Sequence, residues 1–144
     1  MRTLFLDIDG VLNRAGFQPD SDLGLRAWIE PELAGNLSTV VRRTGAQLVL
    51  SSDWRVDHEL EYLRSELRAA GVDGELVGAT PVLVDHARWH EIHAWMTEHH
   101  VETEDAVIVD DARTMGPLRK RFVRTRSDLG LDATAAAAIV KLFG

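Results

Sequence analysis

Short apolar runs alternate along the chain with segments whose apolar residues recur every three to four positions. Runs of strand length lie near Thr3–Leu6, Gln47–Leu50, Glu75–Val77, Ala106–Val109 and Phe122–Arg124, and helical periodicity marks Pro31–Thr44, Asp57–Ala70, Asp85–His99 and Ala133–Phe143. Strand and helix in alternation predict βα units and hence an α/β fold around a parallel sheet. The punctuation agrees: Pro31 suits a first helical turn, Gly45 and Gly71 suit C-terminal caps, and Asp132 suits an N-cap.

The ends of three of these runs carry chemistry. Leu4-Phe5-Leu6 leads into Asp7-Ile8-Asp9-Gly10, which places two carboxylates at the carboxyl edge of the sheet, where open α/β folds bind ligands. Residues two apart on a continuing strand point to the same side, so the two acids repel unless a positive charge lies between them. A hard cation with oxygen ligands, Mg2+ above all, resolves the conflict. Leu48-Val49-Leu50 ends in Ser51-Ser52, and Ala106-Val107-Ile108-Val109 ends in Asp110-Asp111.

In this order and spacing, the stretch from Leu4 to Asn13, the Ser51-Ser52 strand end and the Asp110-Asp111 strand end resemble the first, second and fourth motifs of the haloacid dehalogenase (HAD) superfamily, most of whose members are phosphatases. The third motif of that family is a lysine near the start of a helix between the second and fourth. Here the chain departs from the pattern, because its two lysines, Lys120 and Lys141, both follow the fourth motif. Arg88, at the head of Ala87-Arg88-Trp89-His90-Glu91, stands where the lysine is expected and offers a planar fork in place of a point charge. The stretch Ser51-Ser52-Asp53-Trp54-Arg55 is similar to the phosphatase domain of Swiss-army-knife RNA-repair proteins.

The resemblance implies a three-layer, Rossmann-like fold with a mainly parallel five-stranded sheet and no large cap, in one domain over residues 1–144. About two dozen residues between Asp9 and Pro31 leave room for a small flap only. It also implies site roles. Asp7 is expected as nucleophile and Asp9 as general acid and base. Ser51 or Ser52 is expected to hold a phosphate oxygen, and Arg88 to supply the positive charge. Asp7, Asp9 through its backbone carbonyl, and Asp111 are expected around Mg2+, with Asp110 orienting Arg88 or supporting the metal. Trp54, Arg55 and Arg113 are further candidates for substrate contact. Trp54 offers a face for a base, and Arg55 either binds a second phosphate or pairs with Asp53 or Glu59.

Composition narrows the setting. With 144 residues and 45% hydrophobic content, the chain can bury one good core but not two. It has no cysteine, which excludes disulfides and thiolate metal sites and suits a reducing cytoplasm. Met1-Arg2-Thr3 leads straight into the first strand, and no apolar run approaches a bilayer span, so neither a signal peptide nor a membrane segment is expected. The net charge is −7, yet Arg113, Arg119, Lys120, Arg121, Arg124 and Arg126 fall in a stretch without acids. That stretch is either a phosphate-attracting rim or a solvated basic edge. His86, His90 and His93 share a helical face, which serves either a metal or helix packing.

The expected function is a Mg2+-dependent phosphomonoesterase acting on a nucleotide or an RNA or DNA end, with no obligate protein partner. The alternatives are a small-metabolite phosphatase and a non-catalytic phosphate-binding module.

Overall fold

The computed structural model describes residues 1–20 and 24–144. Five strands, β1 (Thr3–Leu6), β2 (Gln47–Leu50), β3 (Leu76–Ala79), β4 (Ala106–Asp110) and β5 (Phe122–Arg124), form one sheet in the order β3-β2-β1-β4-β5. Every pairing is parallel. Because the order reverses after β1, the carboxyl ends of β1, β2 and β4 meet at a crevice, the topological switch point of an open sheet.

Side-chain alternation divides the core. Leu4 and Leu6 of β1 join Leu48, Leu50, Val107 and Val109 on one face, under α1 (Pro31–Thr44), α2 (Leu60–Ala69) and α4 (Ala133–Phe143). Phe5, Val49 and Ile108 point the other way onto Ile92, Trp95 and Met96 of α3 (Arg88–Glu98). Burial on both faces explains why the strands read as unbroken apolar runs. The result is the three-layer α/β architecture expected for the HAD superfamily, without a large cap. The segment between Asp9 and Pro31, as far as described, carries only a short 3-10 turn, Leu25–Trp28, and the isolated bridge Asp9–Asn13. Part of the expected flap, residues 21–23, lies outside the described residues.

Helices α1 and α4 match their expected bounds, with Gly45 left-handed at φ 71° after α1 and the Asp132 side chain accepting from Ala135 N. Three boundaries move by more than one residue. Helix α2 begins at Leu60 rather than Asp57, because the chain first makes a 3-10 turn, Asp53–Arg55, whose Trp54 carbonyl is held by His58 Nδ1 at 2.9 Å. Helix α3 begins at Arg88 rather than Asp85, since Asp85 has φ 64°, outside the right-handed region. Strand β3 runs on to Ala79, with an irregular register opposite Leu48 and Val49. Among the described residues, no helix is long and apolar enough to cross a membrane.

Candidate active site

Strands β1 and β4 lie in register, with Leu6 opposite Val109 and Asp7 N donating to the Val109 carbonyl at 3.1 Å. Their next residues, Asp7 and Asp110, are therefore delivered side by side at the carboxyl edge. Asp111 joins them, and one oxygen from each of the three carboxylates lies within 4.8 Å of the others. The turn after β1 closes over this cluster only because residue 10 is glycine. Gly10 has φ 80°, and a Cβ there would stand 2.2 Å from Asp111 Oδ2. Thr125, just after β5, ties the turn down, its hydroxyl donating to the Gly10 carbonyl at 2.8 Å and its N–H to the Asp110 carbonyl at 2.9 Å.

Arg88, at the first turn of α3, reaches into the cluster. Its Nη1 lies 3.1 Å from Asp7 Oδ1 and 2.9 Å from Asp110 Oδ2, and its Nη2 lies 3.2 Å from Asp53 Oδ1. Burial works against the Arg88 charge, but Asp110 and Asp7 outweigh it and hold the guanidinium above its ordinary range. One guanidinium does not balance the cluster. Burial, followed by the charge of Asp110, pushes the Asp7 carboxyl up to about 8 even though Arg88 pulls it down. Burial and Asp110 raise the Asp111 carboxyl in the same direction. Three convergent carboxylates that resist joint ionisation are the donor set of a hard divalent cation, so the residues fit Mg2+.

Asp9 stands apart from this trio. Its Oδ1 accepts from Asn13 Nδ2 at 3.0 Å and its Oδ2 from the Trp54 indole N–H at 3.3 Å. Its exposed carboxylate is thus fixed beside the acidic cluster rather than within it. A cavity of about 330 Å³ is lined by Asp7, Asp9, Ser52, Arg88, Asp110 and Asp111, together with Asp53 and Ala112. Ser52 faces that space but also caps the 3-10 turn, its hydroxyl accepting from Trp54 N at 3.2 Å. Ser51 is fully buried, and its hydroxyl has no hydrogen-bond partner among the described residues. The Thr80 hydroxyl, just after β3, is unpartnered in the same way, and of the two serines only Ser52 borders the cavity.

Arg55 is spent on the scaffold. Its Nε donates to the Thr80 carbonyl, its Nη1 to the carbonyls of Ser51 and Ser52, and its Nη2 to the Pro81 carbonyl. Glu91 pairs with the same Nη2 at 2.9 Å, and Asp53 lies at 3.8 Å from Nη1. With every guanidinium nitrogen engaged and the side chain 3% exposed, Arg55 has no donor left for a second phosphate, which corrects that expectation. Arg113 is exposed just beyond β4 and makes no side-chain hydrogen bond among the described residues.

The basic stretch also divides. Arg121 donates to the carbonyls of Ala106, Glu104 and Leu142 at the start of β4, the edge of the sheet opposite the site. Arg124 and Arg126 instead line a second cavity of about 320 Å³ with Asp111, Thr125, Ser127 and Asp128. The expected histidine face does not form, because His86 precedes α3: His90 stacks on Trp89 at 3.6 Å and meets the edge of His86 at 5.0 Å, while His86 and His93 are exposed. Trp95 is core, edge-on to Phe5 at 5.8 Å.

Several partners escape sequence reasoning. Asn13 and Asp53 carry only a weak signal, each being a polar residue shortly after a motif. Thr125 and Glu91 carry none, because their contacts cross from other elements.

No curated protein matches this sequence. A family model described as the HAD domain in Swiss Army Knife RNA repair proteins matches residues 3–136, and the chain belongs to that family.

Proposed function

We propose that the protein is a Mg2+-dependent phosphomonoesterase that works through a phosphorylated Asp7 and acts on a phosphorylated nucleotide or nucleic-acid end. Family membership supports a hydrolase. The observation that carries the chemistry is the trio Asp7, Asp110 and Asp111 with Arg88 inserted between the first two.

On this reading an Asp7 oxygen attacks phosphorus, the ester bond breaks, and the leaving oxygen takes a proton from Asp9. Asp9 then removes a proton from water, which attacks the phosphoryl group on Asp7 and releases inorganic phosphate. Trp54 and Asn13 hold Asp9 where it serves both steps. Ser52, which borders the cavity, is the serine placed for a phosphate oxygen, with the buried Ser51 behind it. Arg88 neutralises charge that develops on the phosphoryl oxygens, a contribution available without reorganisation because Asp110 already fixes its fork. Mg2+ held by Asp7, Asp111 and the Asp9 carbonyl would supply further charge neutralisation, with Asp110 holding the Arg88 side.

Substrate class follows from the rim. Without a large cap, affinity must come from surfaces beside the site, and Arg124, exposed next to Asp111, is placed for a flanking phosphate. The test is a phosphate-release screen with Mg2+ across sugar phosphates, phosphoamino acids, nucleotides and 3′- or 5′-phosphorylated oligonucleotides, with Asp7→Asn as control. Activity on oligonucleotide ends that is lost in Asp7→Asn supports the proposal. Retention of activity in that variant refutes the mechanism, and a clear preference for sugar phosphates makes the protein a small-metabolite phosphatase.

A further inference from the structure

A third cavity, of about 390 Å³, opens beside Asp9 and Asp111 on the side away from Arg88. It falls within the range of roughly 300–1,000 Å³ usual for small-molecule sites. Its wall is Asn13, Gly16, Phe17, Gln18 and Trp28. Trp28 is 39% exposed, although large aromatic side chains are mostly covered in folded proteins. Phe17 is half-buried, and neither ring stacks on another aromatic ring among the described residues.

This wall is mechanically tied to the proposed acid. Asn13 Nδ2 donates both to Asp9 Oδ1 and to the Trp28 carbonyl, each at 3.0 Å, while Asn13 Oδ1 accepts from Gly10 N at 3.1 Å. One amide therefore sets the distance between the carboxyl and the backbone that carries the exposed indole. Arg14 also lines the cavity and is held there by ion pairs to Glu30 at 2.7 Å and to Glu32 at 2.9 Å. Asp9 borders both this cavity and the one lined by Arg88, so a leaving group protonated by Asp9 has this space open to it.

We infer that the cavity between Phe17 and Trp28 is a nucleobase subsite that receives the leaving side of the substrate. The inference rests on the phosphatase reading above and adds where the base of the phosphorylated nucleoside sits. A base fits because its faces are planar and apolar while its edges need polar partners. Trp28 and Phe17 offer faces, and Gln18, exposed at the rim, offers an amide. Stacking of this kind tolerates any base, so the subsite favours a base over no base without selecting a sequence.

The experiment compares two phosphate esters of one scaffold, an oligonucleotide with a terminal phosphorylated nucleoside and the same oligonucleotide ending in a phosphorylated abasic sugar. Glycerol phosphate, whose leaving group has no ring, serves as the control. For the wild type, KM should be lower for the base-bearing end, and Trp28→Ala should shrink the ratio of the two KM values on the order of tenfold, as the loss of one stacked base implies. Trp28→Phe should restore most of the ratio, and Phe17→Ala should reduce it less. An unchanged ratio in Trp28→Ala, or a loss as large on glycerol phosphate, overturns the subsite.

A second measurement needs no turnover. Unphosphorylated adenosine added to the wild-type protein should shift the indole NMR signal of Trp28, identified as the signal missing in Trp28→Phe. If no phosphate ester is hydrolysed but that signal moves, the phosphatase reading fails and the subsite stands. If the signal does not move and the KM ratio shows no dependence on Trp28, the subsite is wrong.

Discussion

Asp7→Asn should stabilise the metal-free protein at pH 8 while abolishing turnover. In the folded protein the Asp7 carboxyl is pushed from 3.8 to about 8, by burial first and the neighbouring Asp110 second. A raised carboxyl binds its proton more tightly when folded than when unfolded. Its contribution to stability is therefore complete below pH 3.8 and is lost as pH rises toward 8. At about 1.4 kcal/mol per tenfold change in proton affinity, the ceiling on that loss is about 6 kcal/mol. Water and counter-ions entering an open site reduce it, and a gain of roughly 1–3 kcal/mol is expected for the neutral amide, as for other strained active-site charges. For a chain of this length that corresponds to roughly 3–9 °C in Tm. The assay is thermal unfolding in chelator at pH 5 and pH 8, repeated with Mg2+. The wild type should lose more Tm than Asp7→Asn between the two pH values and should gain more from Mg2+ at pH 8. Parallel pH profiles, or a variant less stable than the wild type at pH 8 in chelator, would refute the electrostatic account of this cluster.

Other outcomes follow from single contacts. Arg88→Ala should lower kcat on the order of 10²-fold or more, as expected for a lost preorganised charge, with Arg88→Lys retaining much of it in steady-state assays; a folded, fully active alanine variant would move the role to Arg113. Gly10→Ala should cost at least ~1 kcal/mol for the left-handed backbone, and the clash with Asp111 should weaken Mg2+ binding measured calorimetrically. Arg55→Ala should destabilise by roughly 3–5 kcal/mol, because it strands Glu91 without its buried partner, whereas Arg113→Ala should leave the melting curve unmoved. Arg124→Glu should raise KM for a phosphorylated oligonucleotide and flatten its salt dependence, while Arg121→Glu should show itself as unfolding.

Much of the site is legible in the chain because strand ends are local features. Asp7, Ser51 and Asp110 each follow an apolar run, and a parallel sheet in register carries those ends to one edge without further information. Arg88 could be located by position alone, since it heads a helix between the second and fourth motifs. The misread residues have roles set by contacts across the chain. Arg55 reads as a phosphate ligand or a partner of Asp53 or Glu59, but most of its partners, Thr80, Pro81 and Glu91, come from just after β3 and from α3. Arg121 and Arg124 are three residues apart and lie at opposite edges of the sheet, because β5 runs between them. A charge count along the sequence cannot separate them.

The departure from lysine also has a geometric reason. A lysine ammonium is a point charge suited to a site with two carboxylates close together. Here three carboxylates, Asp7, Asp110 and Asp53, surround the cation, and the first two share Nη1 while the third takes Nη2. Only a fork spans that arrangement. Asp53 is 84% exposed and gains its place from the turn that Ser52 caps. The stretch after β2 is thus a unit: Ser52 shapes the turn, Asp53 takes the spare arm of Arg88, Trp54 holds Asp9, and Arg55 anchors the whole to the strand ends. Arg88 and Asp53 belong to one device, and Arg88→Lys, which gives up the contact to Asp53, should keep much but not all of the wild-type kcat in steady-state assays.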